Sequence, residues 1–416
     1  MTPGGSIRAA LLLALVVGIA GCATSGGAPA TAPPPGPDRW THVAPSALGE
    51  GIGLDVASLG DLVVVVGQAD DIGSGPMAWV SVDGAAWERV AGFDPSTGPS
   101  LRGIVRHGDL LVAVGPGDAS TAVWTSTDGR TWTRDHYEAV DGSGAVGTFT
   151  GAMGAVAARD ARLVAVGLGI GGLTNDFGGA AWISTDGRTW SPVAASVSLL
   201  RAPLLAVTAG GPGFVAVGGI DGAVAMTSPD GTTWLLHDLV DRLGNIQLRD
   251  VAAGPGGRLV AVGSVTEGAA VAVSDDGVSW SLVPCQPVLE GAALETVVGS
   301  PDGFVAAGHR NVGQLDVMSI WVSADGSTWS RVEIPEAVEG QPVGMALTPL
   351  GLIAVGYGGI WVGPSNGAGS HELRTGGECS TDPGATSGAG EEPEPGAPAE
   401  EPGVEPALPP EEPAEP

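Results

Sequence analysis

The sequence predicts an all-β chain built from seven repeats of four short antiparallel strands, and three observations support that fold class. The motif Gly-x-[Leu/Phe]-Val-Ala-Val-Gly, or a close variant, recurs at intervals of 45 to 52 residues and ends at Gly67, Gly115, Gly167, Gly218, Gly263, Gly308 and Gly356. A second motif, Ser-x-Asp-Gly-x-x-Trp, follows each of the first six copies and carries Asp83, Asp128, Asp186, Asp230, Asp276 and Asp325. Amphipathic helical runs are nearly absent after residue 22, although 43% of the 416 residues are apolar. A regular period of this length indicates a repeat architecture.

Each repeat has the pattern of four strands, A to D. In the second repeat these are residues 101–107, 110–115, 121–126 and 131–135. The Asp-Gly between strands C and D predicts a tight hairpin, because glycine accepts the positive φ that such a turn needs. We expect the aspartate to accept hydrogen bonds from turn amides and the following tryptophan to pack between neighbouring sheets. Their recurrence in six repeats favours a fold-building role over a ligand site.

Four-stranded repeats of this length predict a β-propeller, in which sheets pack face to face around a channel. The turn motif resembles the Asp-box, or bacterial neuraminidase repeat, of sialidase-like propellers, and the resemblance covers residues 38–363. The pattern of that family is Ser-x-Asp-x-Gly-x-Thr-Trp, and this chain has one residue fewer between Asp and Gly. The resemblance therefore implies the architecture and the role of the turn.

The seventh repeat lacks its strand D. After the strand at 359–363, Pro364-Ser365-Asn366-Gly367 replaces the turn motif and no tryptophan follows. The missing strand is found at the other end of the chain, where Asp38-Arg39-Trp40-Thr41-His42-Val43 resembles the D strands TWTRD and TWSRV. We expect this segment to supply the outer strand of the last blade. The N-terminal strand then closes a ring of seven blades over residues 38–363.

The N-terminus has the pattern of an export signal. Residues 1–21 contain an apolar run at 9–20, which is too short to span a bilayer comfortably. Ile19-Ala20-Gly21-Cys22 resembles a bacterial lipobox, which implies that Cys22 is acylated and anchors the chain to the outer face of the cytoplasmic membrane. An ordinary secretory signal with an incidental cysteine is the alternative. Residues 22–37 predict a disordered Gly/Ala/Pro tether.

The balance of charge argues against one class of partner. The chain has 46 acidic residues, 17 arginines and no lysine, which gives a net charge of −29. Nucleic acids bind to positively charged protein surfaces, so this composition argues against a nucleic-acid partner. Residues 364–416 are rich in Glu and Pro, and we expect them to form a disordered acidic tail.

Cys285 and Cys379 are the two cysteines that remain once Cys22 is acylated. Disulfides persist in exported proteins, so we expect these two residues to form one that pins the start of the tail to the propeller. Two unrelated free thiols are the alternative, because a disulfide needs Cα atoms within about 7 Å of each other.

One face of the predicted ring carries the candidate ligand-binding loops. The A–B and C–D connections on one side are short, whereas the B–C and D–A connections on the other are long and irregular, as at 168–179 and 309–317. Binding usually resides in loops that vary on a rigid scaffold. A role as solvated loop residues is the alternative for the polar and aromatic candidates, which are His136, Tyr137, Asn175, Asp176, Phe177, Arg242, His309 and Arg310.

The sequence offers no catalytic constellation, and we expect no cofactor and no metal. Sialidases use an arginine triad and a Tyr nucleophile assisted by Glu, but this chain has just Tyr137 and Tyr357 and no early Arg-Ile-Pro element. Its six histidines are scattered without metal-binding spacing. Two hypotheses follow. The first is a monomeric, membrane-anchored, non-catalytic module that binds or scaffolds a protein or glycan of the cell envelope. The second is a glycan-active hydrolase or lyase on the same fold, and fold alone does not decide between them.

Overall fold

The structure is a computed structural model in which the described residues form seven antiparallel sheets arranged as the blades of a propeller. This confirms the predicted fold class. No helix in the described part of the chain is long and apolar enough to cross a membrane. The ranges described are 37–49, 51–69, 75–117, 121–135, 150–171, 176–193, 203–219, 222–244, 246–265, 268–334 and 338–376.

The strands follow the chain in order, from the inner to the outer position of each blade after the N-terminal strand β1 (Thr41–Val43). Blade one holds β2 (Ile52–Leu59), β3 (Leu62–Gln68), β4 (Pro76–Ser81) and β5 (Glu88–Arg89). Blade two holds β6 (Gly103–His107), β7 (Leu110–Pro116), β8 (Thr121–Ser126) and β9 (Thr133–Asp135). Blade three holds β10 (Thr150–Arg159), β11 (Arg162–Gly171), β12 (Asp176–Ser184) and β13 (Ser191–Pro192).

The second half of the ring continues the pattern, with one short helix, α1 (Val240–Leu243), between blades four and five. Blade four holds β14 (Leu204–Gly210), β15 (Gly213–Gly218), β16 (Val224–Ser228) and β17 (Leu235–Asp238). Blade five holds β18 (Gln247–Ala253), β19 (Leu259–Val265), β20 (Gly268–Ser274) and β21 (Ser281–Leu282). Blade six holds β22 (Ala292–Ser300), β23 (Gly303–Val312), β24 (Leu315–Ser323) and β25 (Ser330–Val332). Blade seven holds β26 (Gln341–Thr348), β27 (Gly351–Tyr357) and β28 (Gly359–Gly363), and the last strand in the described ranges is β29 (Leu373–Arg374).

The core consists of layers between neighbouring blades. The second strand of each blade is apolar on both faces, as in Val63, Val64, Val65 and Val66 of β3, which are fully buried. Each hydrophobic cluster accordingly draws side chains from two adjacent blades, and such clusters occur at every junction around the ring. Burial of such β-branched side chains on both faces stabilises each strand by about 1.5–3 kcal/mol per residue.

The six Ser-x-Asp-Gly-x-x-Trp turns share one set of contacts. In blade two, Asp128 Oδ1 accepts hydrogen bonds from the amides of Arg130 and Thr131 at 2.8 and 2.7 Å. The indole N–H of Trp132 donates to the carbonyl of Gly129 at 3.1 Å. Gly129 has φ +70°, and a Cβ there would lie 2.7 Å from Leu62 Cδ2 of the preceding blade. The turn therefore needs glycine both for its backbone conformation and for contact with its neighbour.

Blade seven contains a seventh turn of this kind, although its sequence departs from the motif. Asn366 Oδ1 accepts hydrogen bonds from the amides of Ala368 and Gly369 at 3.1 and 2.8 Å, as the aspartates do in the other blades. The indole that completes the turn belongs to Trp40, whose Nε1 donates to the carbonyl of Gly367 at 2.7 Å. The sequence predicted that the turn was replaced here. The structure corrects this, because the amide oxygen of asparagine accepts the same hydrogen bonds as a carboxylate.

The N-terminal strand closes the ring. Strand β1 pairs antiparallel with β28 and becomes the outer strand of blade seven, as the sequence predicted. The backbone N–H of Trp40 donates to His371 Nε2 at 3.1 Å, so His371 Nδ1 carries the proton that is donated to the carbonyl of Glu333 at 3.1 Å. His371 thus links the first strand of the fold to blade six.

The fold extends beyond the predicted end of the ring at residue 363. Strand β29 pairs with β25 and makes blade six a five-stranded sheet. The Gly367 turn and the His371 contacts direct the chain back to that edge, so residues 364–376 are part of the fold and not of a disordered tail. Cys285 is disulfide-bonded. Cys22 and Cys379 lie outside the described residues, and the pairing of Cys285 with Cys379 stays a prediction.

Truncating Trp40 tests this closure. Trp40 is buried and joins the two ends of the described chain, so Trp40→Ala is expected to lower the free energy of unfolding by about 3–5 kcal/mol in a urea titration. Without the indole that fixes this end of the chain, β1 is expected to detach from β28 and expose its edge, so the variant should associate in size-exclusion chromatography. Arg39→Ala, an exposed neighbour, is the control and should leave both measurements unchanged. A Trp40→Ala protein as stable and monodisperse as the control would contradict this closure.

Candidate functional site

The inner strands of the seven blades surround a central channel. Strands β2, β6, β10, β14, β18, β22 and β26 each form the inner edge of their sheet, and each contacts the inner strands of both neighbouring blades. Because an edge strand pairs on one side only, alternate amides of these strands point into the channel. The channel is therefore a place where polar groups from several blades meet.

A β-bulge recurs near the start of the inner strands. The register shifts fall at the same place in six blades, between Gly53/Asp55, Met153/Ala155, Leu204/Ala206, Leu248/Asp250, Leu294/Thr296 and Pro342/Gly344. Bulges bend a strand and redirect its side chains. In two blades the residue after the bulge is an aspartate.

Asp55 and Asp250 use their carboxylates to join adjacent blades. Asp55 Oδ1 accepts from the amide of Val56 at 2.8 Å, and Oδ2 accepts from the amide of Ile104 in blade two at 2.7 Å. Asp250 accepts in the same way from Val251 and, across the junction to blade six, from the amide of Val297 at 2.8 Å. The Thr296 hydroxyl also donates to Asp250, at 2.8 Å.

These two carboxylates have perturbed acidity. Burial raises the pKa of Asp55 to about 7 and that of Asp250 to about 6, although hydrogen bonds from backbone amides act in the opposite direction. Both residues keep partial contact with water, but the surrounding strands remove most of the solvation of the charged form. The negative charge of Asp250 also raises the pKa of Asp55, so the two groups interact electrostatically.

The aspartates of the C–D turns have pKa values that are lowered instead of raised. Hydrogen bonds from the backbone amides of Thr131 and Arg130 lower the pKa of Asp128 to about 2. Those from Ser279 and Val278 lower the pKa of Asp276 to about 2 as well. The fold therefore stabilises the ionised form of these exposed residues. Asp83, Asp186, Asp230 and Asp325 have lowered pKa values too.

The face opposite these turns, called here the long-loop face, carries the B–C and D–A connections and the mouth of the channel. Arg249 and Glu295, the residues within two adjacent bulges, form an ion pair there at 3.1 Å. Half of the exposed large apolar side chains in the described ranges also stand on this face, at the ends of inner strands or B–C hairpins. They are Leu205, Val265, Val312, Leu315 and Tyr357.

The structure corrects the interpretation of two predicted loops. Residues 168–179 and 309–317 are largely strand, because β11 and β12 extend to Gly171 and from Asp176, and β23 and β24 turn at Gly313 with φ +68°. The described residues of these two segments pair with each other across antiparallel strands. His309 and Arg310 therefore lie on strand β23.

His309 and Arg310 point to opposite sides of blade six. His309 Nε2 lies 3.9 Å from Asp316 Oδ1, and Asp316 in turn accepts a hydrogen bond from Gln341 of blade seven. Arg310 donates to the Ser319 hydroxyl at 3.4 Å. Among the other predicted ligand-face residues, Asp176 and Phe177 lie in β12 and Arg242 in α1, whereas His136, Tyr137 and Asn175 lie outside the described residues. The predicted candidates thus do not form one cluster among the described residues.

The channel aspartates were missed by the sequence analysis, although a signal exists. Asp55-Val56-Ala57 and Asp250-Val251-Ala252 repeat the same three residues at the same place in two inner strands. A charged residue inside an otherwise apolar inner strand indicates a buried partner. In the described ranges no group of three or more His, Cys, Asp or Glu side chains is placed to hold a metal ion.

Comparison with known proteins supports the fold. No family model and no curated protein matches the chain. A structure of YCF48 bound to a D1 peptide is 17% identical, covers 78% of this chain and 96% of its own, and has a TM-score of 0.53. A catalytically inactive virginiamycin B lyase from Staphylococcus aureus with quinupristin is 8% identical, covers 78% of this chain and 98% of its own, and has a TM-score of 0.52. The WD40 propeller domain of Doa1 is 11% identical, covers 79% of this chain and 95% of its own, and has a TM-score of 0.50. Identities of this size establish the fold alone.

The opposite pKa shifts predict an unusual dependence of stability on pH. The folded protein binds protons at Asp55 and Asp250 that the unfolded chain does not, so the free energy of unfolding should rise by roughly 4 kcal/mol as pH falls from 8 to 5. Below pH 4 it should fall again, because the turn aspartates with lowered pKa values become protonated. Urea titrations at a series of pH values measure both limbs.

Asp250→Asn identifies the source of the upper limb. Asparagine does not titrate, so the gain in stability between pH 8 and 5 should shrink in this variant, whereas Asp109→Asn, in an exposed A–B turn, should retain it. His237, whose pKa is lowered by burial, opposes the trend below pH 6.5 in all three proteins, so the differences between variants are the quantity to compare. Equal slopes in Asp250→Asn and in Asp109→Asn would refute the role of the channel carboxylate.

Proposed function

We propose that this protein is a lipid-anchored binding or scaffolding module of the cell envelope, and that a protein or glycan partner docks on its long-loop face. The anchor is Cys22 of the lipobox-like segment, joined to the propeller by the tether 22–37. Two acyl chains are sufficient for stable membrane attachment. The propeller, with its two ends joined at blade seven, supplies a rigid platform held outside the membrane.

One observation carries the proposal: exposed apolar side chains collect on the face that also holds the longer connections. Leu205, Val265 and Tyr357 stand at the ends of strands from three different blades, and Val312 and Leu315 form the tip of the β23–β24 hairpin. Exposed apolar patches that are rimmed by polar residues mark protein interaction sites. Among structures with the same fold, YCF48 is bound to a peptide, which agrees with a protein partner here.

The channel carboxylates favour binding over catalysis. A general acid or base must lie within hydrogen-bond reach of the reacting group of its substrate. Both oxygens of Asp55 and of Asp250 accept hydrogen bonds from amides or hydroxyls of the inner strands, which makes these residues connectors between blades. Their raised pKa values follow from this burial and need no catalytic explanation. The glycan-active hydrolase or lyase is therefore the less favoured hypothesis.

The anchor is tested by Cys22→Ser. This variant removes the acylated thiol, so the protein should leave the membrane fraction and should not show the mass of two acyl chains in intact-protein mass spectrometry. Cys285→Ser, which retains the lipobox-like segment, is the matched control and should stay with the membrane. An unchanged membrane fraction and mature mass for Cys22→Ser would show that the lipobox interpretation is wrong.

The docking face is tested by site-specific photo-crosslinking in cells. A photoreactive residue at Leu205 on the long-loop face should give an ultraviolet-dependent adduct with a discrete partner. The same residue at Val278, which is equally exposed but lies in a C–D turn, should give none. Adducts at Val278 alone would show that the partner binds on the C–D turn face, which would contradict the proposal.

A glycan array and a fluorogenic glycosidase panel distinguish a glycan-binding module from a glycan-active enzyme. Hydrolysis with ordinary turnover would overturn the non-catalytic proposal.

A further inference from the structure

Three arginines gather on one face of blade six, and they extend from the outer strands towards the β23–β24 hairpin. Strand register sets Arg331 of β25 directly opposite Arg374 of β29. Arg310 reaches the same face from β23, where it donates to Ser319. Burial lowers the pKa of Arg310, and the nearby positive charges of Arg331 and Arg374 lower it further. We call Arg310, Arg331 and Arg374 the arginine cluster.

The cluster is short of counter-charge. Arg331 is buried and donates to Glu333 at 2.5 Å, the one carboxylate within ion-pair distance of the cluster among the described residues. Arg310 is half-buried and Arg374 is exposed. Exposed Glu372, two residues before Arg374, still leaves the face with one more positive than negative charge. Like charges directly opposite on neighbouring strands are destabilising, so this arrangement favours a bound anion.

We propose that the arginine cluster binds carboxylates of the chain's own acidic C-terminal segment. That segment starts at the site itself, because the last described residue is Gly376, two residues after Arg374. Residues 377–416 contain eleven acidic residues and no basic one. Guanidinium groups bind carboxylates through paired hydrogen bonds, which favours arginine over any other cation for this purpose.

Reach and charge both favour this occupant. The Glu391-Glu392-x-Glu394 segment follows Arg374 by 17 to 20 residues, which at about 3.3 Å per extended residue is ample to fold back on blade six. A tether of this length gives an effective concentration in the millimolar range. The protein as a whole carries a net charge of −29 and repels the segment, so this local positive surface is the place where it can dock. Docking of the acidic segment on blade six is independent of the partner proposed above for the long-loop face.

Competition with a labelled peptide tests the proposal in the full chain. The probe is a fluorescein-labelled peptide of residues 388–406, and binding is followed by fluorescence anisotropy in 20 mM NaCl. One protein keeps the natural tail. The other has Glu391, Glu392, Glu394, Glu400, Glu401 and Glu405 changed to Gln. The unaltered tail should occupy the cluster, so the natural protein should bind the peptide at least about 5-fold more weakly than the Gln-tail protein.

Arginine variants in the Gln-tail protein identify the binding site. Arg310→Gln and Arg374→Gln should each weaken peptide binding about 5-fold or more, and 150 mM NaCl should reduce the affinity of the parent protein. Arg374 is exposed, so its loss should not disturb folding. Arg159→Gln removes an equal charge from an exposed position on another blade and should have no effect. A probe with Gln at all six Glu positions should not bind.

Two results would overturn the proposal. Equal affinity of the natural and Gln-tail proteins for the peptide would show that the tail does not occupy the cluster. Equal loss of affinity in Arg159→Gln and Arg374→Gln would show that net charge, and not the arginine cluster, governs binding.

Discussion

The contact between each C–D turn and the preceding blade is the constraint on which the rest of the ring depends. The turn glycine has a positive φ and lies close against a strand of the neighbouring blade. At Gly187, for example, a Cβ atom would lie 2.7 Å from Val112 Cγ2, which is too close for a side chain. The following tryptophan donates to the glycine carbonyl, and the aspartate holds the turn amides. One short motif thus fixes the end of a blade and its distance from the next. Because all blades share it, this face is uniform, and variation is left to the long-loop face.

The same interaction explains why both ends of the propeller are needed. In blade seven the turn comes from Asn366 and Gly367, whereas the indole comes from Trp40, at the other end of the described chain. The last blade is therefore complete only when the two ends have met, and long-range closure of this kind is slow to form. His371 and β29 extend the junction to blade six. The final blade-to-blade contact, between Gly367 and Val305, depends on the same event.

Repetition determined how much of this could be predicted. Strand positions, the Asp-Gly turns and the N-terminal closure follow from local patterns that recur, so sequence alone predicts them. The equivalence of Asn366 to the turn aspartates and the return of residues 364–376 to blade six depend on contacts between distant segments, which no local pattern encodes. The B–C connections of blades three and six were predicted as long, irregular loops, whereas β11 pairs with β12 and β23 pairs with β24 along much of these segments. Asp55 and Asp250 occur in just two of the seven inner strands, so motifs shared by every repeat do not include them.

Aspartate serves two opposite purposes in this fold, and the difference lies in solvent exposure. At the turns it is exposed, its charge is solvated, and backbone amides lower its pKa. In the channel it accepts equivalent hydrogen bonds, yet burial outweighs them and raises its pKa. Hydrogen bonds from amides therefore do not offset the loss of solvation that a carboxylate suffers when it is buried. Among the described aspartates, Asp55 and Asp250 alone bring this cost, and the corresponding positions in four other blades hold Ala155, Ala206, Thr296 and Gly344. Asp55 joins blades one and two, and Asp250 joins blades five and six, but both lower the stability of the fold at neutral pH because their charged forms are buried. The turn aspartates have the opposite effect, because their charged forms are stabilised in the folded protein.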